Sequence, residues 1–323
     1  MAETETENQT MSSITDLQKQ IRTLINAPRK QHALLQDMGD WNQLCSCLDV
    51  IEDTELAIDA YSANGDFNGI GSAYLLVYGL LQVIYVQQDA LKNLCEALKI
   101  TYSHDPSMKI IREIRNSSIG HPTRQDARKD LPRRHNFISR RTLCKNGFML
   151  MTTYLDKRLP LFEDVSIPSL IEKQRSSLQH KLSEVLDMLR KEEAEHRDQH
   201  REDKLQELFP GTLGYNIEKI YEALYGSGGS ALVEVHIEVV GQVVDSFRVE
   251  LEKRGILEAY EPVRHQIEQL EYPISRLKAY FATPESSNMN KQDACIFVFF
   301  IQEQLSVLKE MAAEIDETYQ RSP

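Results

Sequence analysis

Cysteine is scarce in this chain. Cys45, Cys47, Cys95, Cys144 and Cys295 are too few, too scattered and odd in number for a disulfide framework. The Cys45-Ser46-Cys47 pair has no second pair to complete a zinc site. A reducing compartment, the cytoplasm, is therefore expected. Proline and glycine are sparse, 11 and 14 residues in 323, which disfavours a turn-rich β fold and leans towards helix. The opening MAETETENQTMSS has no basic start and no apolar run, so it does not read as a signal peptide. Residues 1–12 are expected to be disordered. Long hydrophobic runs are missing too. The longest, AYLLVYGLLQVIYV (73–86), contains Gln82 and runs into QQD, so it reads as a buried helix rather than a bilayer span, and no membrane partner is expected. Gly226-Ser-Gly-Gly-Ser lacks the Gly-Lys-Ser/Thr end of a phosphate-binding loop, which argues against a nucleotide triphosphatase.

Apolar residues are present in ordinary proportion, 41%, and mostly at helical spacing. Ile14, Leu17, Ile21, Leu24 and Ile25 mark a first helix, which Pro28 ends. Further helices are expected near 29–38, 41–63 and 70–100. Asp105-Pro106 reads as an N-cap with proline at the first helical position, starting the short helix MKIIREIRNSSI, and Gly120 and Pro122 stop it. NFISRRTLCKNGFMLMTTY (136–154) carries β-branched and aromatic runs around Lys145-Asn146-Gly147, and Asn-Gly is a strong hairpin signal. A small β-hairpin is expected there. Helices follow near 169–207, 214–225, 230–254, 256–281 and 290–319. The fold class is thus mainly α. A helical domain with a hairpin (13–160) is expected to precede a C-terminal α-helical domain (161–323).

Charge is unevenly placed. The chain is −12 overall, yet residues 109–145 hold 11 Lys and Arg against Glu113, Asp126 and Asp130, a net +8 that leaves −20 elsewhere. A basic run is commonly a solvated loop. The alternative is an anion site confined to one cleft of an acidic protein. Arg112, Arg124, Arg128, Lys129, Arg133 and Arg134 are its candidate RNA-binding residues.

Within this window Arg115-Asn116, four intervening residues and His121 spell R-N-x4-H. The pattern resembles the Arg-x(4–6)-His motif of the HEPN superfamily (higher eukaryote and prokaryote nucleotide-binding domains). A polar residue often follows that arginine, as Asn116 does, and Pro122 after the histidine is also familiar. The preceding AYLLVYGLLQVIYVQQDAL (73–91) resembles the long core helix of one branch of the family. The likeness covers roughly residues 40–155. The bare pattern is weak, and its context of helix end, Gly-Pro break and basic flanks strengthens it. The resemblance implies a HEPN-like helical bundle and a homodimeric endoribonuclease that needs no metal or other cofactor. It also implies RNA substrates, tRNA or mRNA among them, a role in toxin–antitoxin or antiphage systems, and an antitoxin or other regulatory partner. Each protomer would supply one motif. Arg115 would stabilise transition-state charge, His121 would transfer a proton and Asn116 would orient the phosphate or the histidine.

Elementary chemistry is compatible with those roles. Histidine titrates near neutrality, and a guanidinium fork matches a phosphate. The plainer readings are that Arg115 pairs with the helix dipole and a nearby acid, and that His121 is an ordinary loop histidine. The rival function is a non-catalytic RNA- or protein-binding module. Tyr78, Gln82, Tyr85 and Asp89, at i, i+4, i+7 and i+11 of the long helix, form a polar stripe. It could be a supporting layer for Arg115 and His121, part of a dimer surface, or ordinary internal hydrogen bonding. His196 and His200 have i, i+4 spacing but sit in a segment charged all round, EEAEHRDQHRED, and read as a solvated face. Cys144 beside Lys145 has no histidine pattern to make it a nucleophile.

Overall fold

The computed structural model describes residues 12–103, 105–126, 132–156, 159–226, 232–283 and 288–320. Residues 1–11 of the expected tail, and Arg128 and Lys129 of the basic window, lie outside the described residues. The fold is mainly α, with ten α-helices and one small antiparallel sheet among the described residues. The chain divides into two compact units. The first takes the residues up to Leu24 and Leu34–Leu189; the second takes Ile25–Ala33 and Arg190 onwards. The division falls at 189/190, where the sequence reading places a boundary near 160.

In the first unit α3 (Met38–Ala63), α4 (Ile70–Ala97), α5 (Pro106–Arg115) and the start of α6 (Ile167–His200) line an aliphatic core, and α1 (Ile14–Ile25) buries Ile14, Leu17 and Ile21. Asp37 caps α3 by accepting the N–H groups of Gly39 and Asp40 at 2.9 and 3.1 Å. By length and composition alone α4 could cross a membrane. Here it packs along α3, and its buried side carries Val77, Leu80, Leu81, Ile84 and Leu91. A buried amide chain also fixes it. Gln87 donates to Glu55 at 2.7 Å, Gln174 of α6 donates to Gln87 at 2.8 Å, and Gln88 donates to Gln174 at 2.8 Å. Such a chain sets the register of α3, α4 and α6, because sliding any helix would strand a buried amide.

Asp105 and Pro106 start α5 as the sequence indicates. The Asp105 carboxylate accepts the Ser107 N–H at 2.7 Å and the Ser177 hydroxyl of α6 at 3.0 Å. Burial pushes its pKa up, but these hydrogen bonds outweigh it and hold the pKa below the usual carboxylate value. The expected hairpin is part of a three-stranded antiparallel sheet of order β1-β2-β3: β1 (Arg134–Ile138), β2 (Gly147–Tyr154) and β3 (Leu161–Ser166). β3 falls in a stretch the sequence reading leaves as connecting chain. Phe148, Leu150 and Val165 face the core. Lys145 and Asn146 do turn the chain, between Cys144 and Gly147. Gly147 itself serves a different need: a Cβ there would run into the Val165 carbonyl, so glycine permits β3 to pair.

In the second unit α7 (Leu213–Tyr225), α8 (Val233–Lys253), α9 (Glu261–Ala282) and α10 (Lys291–Gln320) pack in chain order, with α10 closing against α7. Phe247, Leu251, Leu270 and Leu308 lie at the centre. α2 (Pro28–Leu35) joins it through Arg29–Glu193 and Lys30–Glu192 ion pairs of 2.7 and 2.6 Å. The Asp316 carboxylate accepts the N–H groups of Leu205 and Gln206, each at 2.9 Å, and so caps the 3-10 turn Leu205–Leu208. His196 and His200 are not a solvated face. His200 is only 4% exposed, the two rings lie 5.1 Å apart, and both pack on Tyr319 of α10. The buried Arg254 guanidinium lies 5.1 Å from the same Tyr319 ring.

Candidate functional site

The site is built where α5 meets the middle of α4. Arg115, at the last position of α5, turns its guanidinium onto α4. Its Nε and Nη2 donate to Gln82 Oε1 at 3.2 and 2.7 Å, and its Nη1 donates to Asn116 Oδ1 at 3.0 Å. Its Cζ lies 4.3 Å from the centre of the Tyr85 ring. Arg112, one turn earlier, approaches the same ring at 4.0 Å. The two arginines differ in one respect. Arg112 is paired with the Asp89 carboxylate at 2.8 Å, whereas Arg115 meets two neutral amide oxygens and a ring face and no carboxylate among the described residues. Neutral acceptors fix a guanidinium without cancelling its charge. Of the plainer reading, Arg115 does lie in the last turn of α5, where a cation suits the helix dipole, but no acid pairs with it among the described residues.

Three of the four stripe residues thus form the layer beneath the arginines. Tyr78 does not; its ring packs edge-on against Tyr74 at 5.6 Å. Around it the outer face of α4 is apolar, with Leu75 75% exposed and Tyr78 and Val86 partly so. Added Cβ atoms at Gly71 and Gly79 would meet nothing within 4 Å.

Gly120 and Pro122 do end the helix, but not by an abrupt stop. The chain widens into a π-helical turn, Asn116–Gly120, closed by His121 N–H to Asn116 C=O at 2.8 Å. Single π turns of this kind often stand at functional sites. Gly120 makes room for it. A Cβ there would stand 2.8 Å from Arg115 Nη1 and 3.2 Å from Asn116 Oδ1. Gly120 therefore seats the guanidinium as well as ending the helix, a role the sequence reading misses. His121 leaves the turn with φ −141° and its side chain is exposed. Among the described residues its ring has no hydrogen bond or ion pair, and none links it to Arg115.

After His121 the chain runs back beside β1. Asn136 N–H donates to Pro122 C=O at 2.7 Å, and Gln125 and Arg134 exchange backbone bonds of 2.9 and 3.0 Å. This pins the histidine's segment to the sheet. It also occupies several candidate RNA-binding residues. Arg124 and Arg133 both pair with Asp126, at 2.8 and 3.4 Å, and Arg134 donates to the Gln125 side chain. Those two guanidiniums hold the exposed Asp126 carboxyl below its usual pKa. Arg112 serves Asp89. Among the described residues Arg140 and Arg141 are exposed and have no hydrogen bond or ion pair. No three metal-ligating side chains converge among the described residues.

No family model, curated protein or solved structure matches this chain.

Proposed function

We propose that this chain is a HEPN-type endoribonuclease that works as a homodimer and cuts RNA without a metal ion. The observation that carries the reading is Arg115, fixed by Gln82, Asn116 and Tyr85 with no carboxylate paired to it among the described residues, at the start of the π turn that ends on the exposed His121. In the reaction the 2′-oxygen attacks phosphorus and its proton passes to one His121 ring. The O2′–P bond forms as the P–O5′ bond breaks, and the departing 5′-oxygen takes a proton from a second copy's His121. The products are a 2′,3′-cyclic phosphate and a 5′-hydroxyl. Arg115 meets the charge that grows on the phosphoryl oxygens. Asn116 spends its Oδ1 on Arg115, which leaves the amide N–H groups to orient a phosphate oxygen. The exposed apolar face of α4, with small residues at Gly71 and Gly79, suits a self-complementary contact that would bring two motifs together. A toxin or antiphage role, with an antitoxin or other restraining partner, rests on the family resemblance.

One observation favours the rival reading, a non-catalytic RNA- or protein-binding module: within a single chain no hydrogen bond joins Arg115 to His121. Labelled RNA incubated in EDTA separates the two. The wild-type chain is expected to cut, and His121→Ala and Arg115→Ala each to lose about 100-fold or more with unchanged melting. A variant that cuts as fast as wild type removes that residue from the mechanism.

A further inference from the structure

The three strands align one apolar row on the face turned away from the core. Phe137 of β1 is paired with Met151 of β2, and Met151 with Phe162 of β3. Phe137 is 51% exposed and Phe162 57%, so neither ring belongs to the core. Exposed aromatic rings on a sheet face are the surface on which unpaired bases stack, since every base offers a π face. We propose that this row is a stacking platform for unpaired bases of single-stranded RNA, and the inference rests on the nuclease reading above.

Two further observations select that occupant. The first is charge. Arg140 and Arg141 stand three and four residues beyond Phe137, whereas Arg133 is shared with Asp126 and Arg134, one register step out of phase with Phe137, is held by Gln125. Arg140 and Arg141, in the turn after β1, are exposed with no ion pair among the described residues. The opposite edge carries Glu163 and Asp164, so a polyanion would run along the β1 side and lay its bases towards Phe162. The second is continuity with the site. The Asn136–Pro122 hydrogen bond ties β1 to the bend after the π turn, with Phe137 next to Asn136 in sequence and His121 next to Pro122. Two Cα steps and one backbone hydrogen-bond span keep the His121 and Phe137 Cα atoms within about 14 Å, a distance one or two nucleotides can bridge. A base seated on Phe137 would hold the adjoining backbone near the histidine.

The test uses the full chain carrying His121→Ala, so that cleavage does not obscure binding. The affinity for a fluorescent single-stranded RNA octamer is compared with that for an RNA duplex. Phe137→Leu and Phe162→Leu keep apolar bulk but remove the aromatic face. Each is expected to weaken single-strand binding about 10-fold or more, with duplex binding and melting unchanged. Ultraviolet cross-linking of a 5-bromouridine octamer is expected to mark a peptide containing Phe137 or Phe162. Single-strand binding indifferent to both substitutions overturns the platform and leaves the nuclease reading intact. Binding that depends on Phe137, in a chain whose His121 form never cuts, upholds the platform and overturns the nuclease. A dimer lost on Phe137→Leu, with RNA affinity unchanged, assigns the row to a second copy and overturns the proposal. No RNA binding by the His121→Ala chain overturns the platform, while the nuclease reading stands or falls on cutting by the wild-type chain.

Discussion

Arg112 and Arg115 are one helical turn apart, touch the same Tyr85 ring and end in opposite electrostatic states. Asp89 neutralises the first; Gln82 and Asn116 merely position the second. The account places function in that difference, and Gln82→Glu tests it. The change keeps the shape and puts a carboxylate where the amide oxygen was. Arg115 would gain an ion pair, so melting should hold or rise, while RNA cleavage should fall about 100-fold. An unchanged cleavage rate in single-turnover kinetics would sink the idea that the free charge matters. At this scale much was legible. Spacing on one helix face put Gln82, Tyr85 and Asp89 in a stripe. It failed for Tyr78 because α5 contacts only the later part of the stripe, and Tyr78, a turn nearer the N-terminus, meets Tyr74 instead. That the internal partners of Arg124 and Arg133 would both be Asp126 was not legible, since it depends on the loop folding back along β1.

The π turn is the element on which the site depends. An extra residue in one turn has no compositional signature, so the sequence reads only as a helix stopped by glycine and proline. What permits the turn is space: the missing Cβ at Gly120 lets Arg115 Nη1 and Asn116 Oδ1 meet there. Gly120→Ala should therefore damage the site more than the fold. Melting should change by no more than a few degrees, while cleavage should drop about 10-fold or more. A rate equal to wild type, measured beside the melting curve, would show that the packing of Gly120 is incidental. The start of α5 was readable because Asp-Pro is a local signal whose capping bond forms within three residues. β3 was not, because its LFEDVS sequence is mostly exposed and only pairing with β2 makes it a strand.

At the scale of the whole chain, the helices of the second unit follow from apolar periodicity, whereas its histidines do not. Charged neighbours hide the fact that His196 and His200 share the helix face that meets Tyr319. Burial depresses both pKa values, and the Arg254 charge adds to it; for His196 the bond to the Arg254 carbonyl offsets part of this. The folded chain thus prefers them neutral, while the unfolded chain binds their protons near pH 6.5. Their contribution to stability is present above that pH and is lost as pH falls through it. The melting temperature should decline from about pH 7.5 to about 5.5, less steeply once both histidines are replaced by glutamine. A flat profile, or the same slope in the double variant, would remove them as the cause.

Attack by the 2′-oxygen can be tested chemically. A labelled RNA is incubated with the full chain in EDTA, beside the same strand carrying one 2′-deoxyribose at the cut position. The account predicts that the RNA is cut to a 2′,3′-cyclic phosphate and a 5′-hydroxyl and that the deoxy-substituted position stays whole. An RNA left intact, or a deoxy position cut equally well, would contradict it.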